Sequence, residues 1–187
     1  MPKPLYRLFL VLFVAFLPVS GFAQPSGFIE IVKSKHFTVY GYPGLDVYEV
    51  LRSINFDGSL QGGSTSNGGL KSLLADNLDA LFDEVSDILD MHVYSLKGYL
   101  YIVPDQKAVS EMFRKYFGKS FSERSFYIYE NNLICISLPD MTLGILGHEM
   151  SHAIISHYFG VVPPARMQEI LAGYVEYKLR KSAGTLP

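Results

Sequence analysis

The sequence predicts a single α+β domain, and three observations carry that prediction. Short runs of β-branched and aromatic residues are mixed with longer segments of helical periodicity. No internal repeat interrupts that order. The chain has 187 residues and is 49% hydrophobic and 18% charged, a globular balance with enough length for one real core.

The elements follow in chain order. Phe28 to Val32 and His36 to Tyr40 read as short strands around a Lys33-Ser34-Lys35 turn. Asp46 to Ile54 reads as a short helix. Residues 57–69 are rich in glycine and serine, with one leucine, the composition of a flexible loop. Leu70 to Met91 repeats leucine, phenylalanine, valine and isoleucine at three- and four-residue steps, with aspartates mostly opposite, and so predicts an amphipathic helix with a solvated acidic face. Gly98 to Val103 is a strand ended by Pro104, after which Asp105 can cap a helix through Phe117. Phe126 to Tyr129 and Leu133 to Leu138 are two strands around Glu130-Asn131-Asn132. Met141 to Tyr158 is apolar and helical. Gly160 to Pro164 breaks it, and a last helix runs from Arg166 to Lys181.

The N-terminus has the three parts of a secretory leader. Lys3 and Arg7 precede the apolar run Leu8 to Leu17, and Gly21 and Ala23 supply small residues at a cut after Ala23. This divides the chain into a signal peptide, residues 1–23, and a domain, residues 24–187, and predicts export to the periplasm or the extracellular space. The apolar run is shorter than the ~20 residues that span a bilayer. An uncleaved leader acting as an anchor is the one membrane contact expected. Cutting after Ala23 removes two basic residues and no acidic one, leaving 14 basic and 18 acidic groups. That balance speaks against a nucleic-acid partner. Cys135 is the single cysteine, lies in an apolar run, and reads as a small buried hydrophobe.

Chemistry concentrates in Gly147-His148-Glu149-Met150-Ser151-His152, an H-E-x-x-H pattern within a predicted helix. Four residues advance a helix by roughly 400°, so His148 and His152 share one face a turn apart and can reach one ion. Glu149, beside the first histidine, points away from that ion and suits a general base. The helix after Pro163-Pro164 doubles back and carries Glu169 toward the histidines. His157 lies nine positions from His148, on the opposite side, and reads as a structural or surface histidine. His36 and His92 have no ligand spacing and read as ordinary polar residues.

His148-Glu149-x-x-His152, followed by Gln168-Glu169-Ile170-Leu171-Ala172-Gly173-Tyr174, resembles the gluzincin branch of zinc peptidases, which includes thermolysin-like enzymes. The resemblance spans about residues 130–178. It implies a zincin-like single domain, with a small mixed sheet packed on the H-E-x-x-H helix and a following Glu-bearing helix. It implies one Zn2+ held by His148, His152 and Glu169, with Glu149 as catalytic base, in an enzyme that hydrolyses peptide bonds of a peptide or protein substrate. It further implies that the strand before the motif, Asn132 to Leu138, is an exposed sheet edge on which the peptide docks.

The chain departs from that pattern at two places. Gln168 stands where many relatives have asparagine. Gly173 stands where many have an acidic partner for a ligating histidine; Glu176, on a similar face, either takes that role or is a surface carboxylate. Tyr158, Tyr174 and Tyr177 are all available near the motif as donors to an oxyanion, and none is singled out. The alternative is a catalytically inactive zincin-like binding module of the cell envelope.

Overall fold

The computed structural model describes residues 27–54, 67–120 and 122–186. The leader read at residues 1–23 and the loop read at residues 57–66 lie outside the described residues. The elements are β1 (Ile29–Lys33), β2 (Phe37–Gly41), α1 (Val47–Ser53), α2 (Asn67–Leu89), β3 (Gly98–Val103), α3 (Gln106–Phe117), β4 (Ser125–Ile128), β5 (Leu133–Ser137), α4 (Leu143–Tyr158) and α5 (Ala165–Ser182). The mixture of α and β elements agrees with the expected class.

Capping side chains set several helix starts. Asp46, Asp105 and Thr142 accept backbone N–H bonds from Tyr48, Ala108 and Ile145. The last of these starts α4 at Leu143 rather than at Met141. Asn67 to Gly69, read as loop, belong to α2.

The sheet order is β1-β2-β3-β5-β4. β2, β3 and β5 run parallel, and β1 and β4 close the two edges antiparallel. This corrects one expectation: β5 is an interior strand, and the edge beside the H-E-x-x-H helix is β4. The tight turn after Ile128 folds β4 onto the outer side of β5. All five β5 residues are buried, as a strand covered on both faces requires.

Alternation along the interior strands sorts apolar side chains into two cores. Leu100, Ile102, Ile134 and Ile136 join the larger core with residues of α1, α2, α4 and α5. Tyr101, Val103, Leu133 and Cys135 join the smaller one with Val109 and Met112 of α3. Cys135 is fully buried, and burial pushes its thiol pKa up, in keeping with a packing role. His36 is not a surface residue. It is buried, stacks on Phe82 with ring centroids 3.9 Å apart, and shares a 3.1 Å bond between Nδ1 and the Leu96 carbonyl. Asp79 leaves the acidic face of α2 to accept the backbone N–H groups of Lys35 and His36.

Two glycines let α5 close on α4. A Cβ at Gly144 would stand 2.8 Å from Arg180 Cγ, and one at Gly147 would overlap Leu179 Cδ1, a side chain with no exposed surface. Overpacking of this kind forces neighbouring elements apart. The separation of the two helices is therefore set by residues immediately before the first histidine.

Candidate metal centre

His148 and His152 leave the same face of α4, with ring centroids 5.0 Å apart and Nε2 atoms 3.2 Å apart. After the break at residues 159–164, α5 packs back along α4 and delivers Glu169. Its Oε2 lies 3.6 Å from His148 Nε2, and its Oε1 lies 3.6 Å from His152 Nε2. Among the described residues, these three form a group that can hold a metal ion.

A hydrogen bond sets the orientation of His152. Gln168 Nε2 donates to the Pro163 carbonyl at 2.8 Å, so its Oε1 is the atom turned to His152 Nδ1, 3.4 Å away. Ser156 Oγ donates to the same oxygen at 3.2 Å. A carbonyl oxygen only accepts, so His152 Nδ1 carries the hydrogen and Nε2 keeps its lone pair. Glu176 Oε2 lies 3.3 Å from His148 Nδ1 but makes no hydrogen bond to it, so this carboxylate acts on the ring through its charge. Arg180 stands 3.6 Å from the other Glu176 oxygen.

Two imidazole nitrogens and a carboxylate thus converge on one point. The ligand-to-ligand edges of 3.2 and 3.6 Å match the ~3.3–3.4 Å edge of a tetrahedron with ~2.0–2.1 Å bonds. The donor set could hold a metal ion.

No family model, curated protein or solved structure matches the chain.

The electrostatics of the centre follow from its own side chains. Burial lowers the His148 pKa, but bonding to Glu169 and the charges of Glu149, Glu169 and Glu176 outweigh it and raise the net value. Burial and the neighbouring His148 lower that of His152. Bonding to His148 holds the Glu169 carboxyl below the ordinary carboxylate range. Glu149 is buried, and burial pushes its pKa up to about 7 against the opposing effects of Ser125 and His148. Ser125 Oγ donates to Glu149 Oε1 at 2.6 Å.

A cleft of about 590 Å³ opens over the centre, lined by His148, Glu149, His152 and Glu169 and, across from them, by Arg124 to Tyr127. Tyr158, Tyr174 and Tyr177 do not line it; each is about half exposed. Tyr127 and Tyr129 do. His157 stays out of the ligand group, its Nδ1 2.9 Å from the Ala153 carbonyl one turn back. Gly173 is exposed with open space where a Cβ would stand, and the carboxylate facing His148 comes from Glu176 instead.

Replacing Glu176 with alanine is expected to lower zinc affinity by about 10–100-fold, the usual effect of losing such an outer partner. Competition with a chromophoric chelator measures it, and an unchanged affinity would reduce Glu176 to a surface carboxylate.

Proposed function

We propose that this chain is an exported zinc-dependent peptidase of zincin-like architecture. The observation that carries the reading is the convergence of His148, His152 and Glu169 beside the buried carboxylate of Glu149 in one cleft. His148 and His152, as neutral rings, and ionised Glu169 would hold the ion. A zinc ion there supplies Lewis acidity, which acidifies water and polarises a carbonyl.

The protein groups have separate tasks. Ser125 occupies one oxygen of Glu149 and leaves the other to accept a proton from water. A pKa near 7 suits a group that takes that proton and passes it to a leaving amine. Gln168 holds His152 in the tautomer that ligation needs, and the charge of Glu176 stands beside His148.

β4 suits an extended substrate. Among the described residues it is the last strand of the sheet, next to β5, and Ser125 to Tyr127 border the cleft. A peptide added along its outer side would be held through backbone hydrogen bonds, with little demand on sequence. Export enters the proposal through the leader at residues 1–23.

The test combines metal analysis of the purified chain with hydrolysis of a quenched-fluorescent peptide library. One zinc per chain is expected, with cleavage abolished by a chelator and restored by zinc. Absence of stoichiometric metal, or cleavage indifferent to the chelator, would overturn the proposal.

A further inference from the structure

Among the described residues, eight of the fourteen exposed large apolar side chains fall between Tyr158 and Tyr177. That concentration is far from the scatter of single apolar residues normal on a protein surface. Four of them, Met167, Ile170, Tyr174 and Tyr177, sit on α5 within an arc of about 80°, opposite the buried Ala172, Val175 and Leu179. Val161, 85% exposed, and Val162 adjoin the N-terminal end of this stripe in the chain.

The charges around the stripe have one sign. Arg166 and Lys178 flank it on either side, and Lys181 follows one turn after Tyr177, all exposed. The carboxylates of α5 are turned elsewhere, Glu169 and Glu176 toward the histidines. An apolar spine with half-exposed tyrosines, bracketed by cations and free of acidic groups, is the pattern of a helix lying in a lipid interface. A second copy of the chain fits worse, because it would set these cations against their own kind.

We propose that the outer face of α5 docks on a membrane surface rich in anionic lipid. This contact is additional to the leader, and it does not depend on hydrolytic chemistry. Its cations would meet the headgroups while Ile170 and Tyr174 enter the boundary with the acyl chains. Because α5 also carries Glu169, docking would hold the cleft close to the lipid surface.

The chain contains no tryptophan, so an introduced one reports on a single place. The full chain carrying Tyr174→Trp is compared with the full chain carrying Tyr48→Trp, a position of similar exposure on α1. With phosphatidylglycerol vesicles the first reporter is expected to shift to shorter wavelength and to be quenched by brominated acyl chains. With phosphatidylcholine vesicles it should do neither, and the Tyr48→Trp reporter should stay unchanged in both. Arg166→Gln, Lys178→Gln and Lys181→Gln, added to the Tyr174→Trp chain, should each weaken partitioning about fivefold. Three results would overturn the proposal. One is a Tyr174→Trp reporter indifferent to anionic lipid. Another is equal quenching at both positions. The third is a shift that follows protein concentration without lipid, which would make the face a contact between copies.

Discussion

Replacing Glu149 with glutamine is expected to leave one zinc ion bound while peptide hydrolysis falls by about 10²–10⁴-fold. The substitution keeps the size of the side chain and an oxygen able to accept the Ser125 hydrogen bond. It removes only the capacity to take up a proton. Glu149 stands outside the ligand group, so metal content should not change. Stability should not suffer either, because burial already disfavours the charged form that glutamine eliminates. The measurement is kcat at matched zinc occupancy. Hydrolysis at the parent rate would remove Glu149 from the base role, and loss of zinc would make it part of the metal site.

Glu169→Ala is expected to have the opposite signature, with metal lost first and activity as a consequence. Zinc affinity should fall well beyond the roughly 10–100-fold that an outer partner such as Glu176 is worth. Glu169 supplies the anionic ligand, and its carboxylate reaches both imidazoles. Without it the two Nε2 nitrogens, 3.2 Å apart, have no negative charge between them to bind a cation. Competitive titration in the parent and the variant decides the matter. An affinity that does not move would take Glu169 out of the ligand set and leave a two-histidine site.

Much of this was legible in the residues, and what escaped did so for physical reasons. The periodicity of α2 and α4 announced helices, and the four-residue spacing of His148 and His152 survives as two nitrogens aimed at one point. Leu133 to Ser137 is apolar at four of five positions, the composition of a strand covered on both faces, and that is what β5 is. Its expected place at the sheet edge came from the resemblance, not from its own side chains. Ser125 gave no signal, because one serine in a polar stretch becomes a partner of Glu149 only when β4 lies beside α4. Gln168 looked like a mere departure from pattern. Its contacts with Ser156, Pro163 and His152 exist only once the chain has reversed. The three tyrosines near the motif were close in sequence but face away from the cleft, since closeness along a helix says nothing of the side on which a residue stands.

The placement of the ligands on two successive helices has a mechanical consequence. An ion gripped by both His152 and Glu169 would pin distant chain positions together as a covalent staple does. The chain has a single cysteine, so it has no internal disulfide of its own to serve that purpose. Closing a loop of this size removes freedom from the unfolded chain worth on the order of 3 kcal/mol in the simplest polymer treatment. Zinc would then be a structural fastener as much as a reagent, and its withdrawal would slacken the α4–α5 hairpin before it disturbed the sheet.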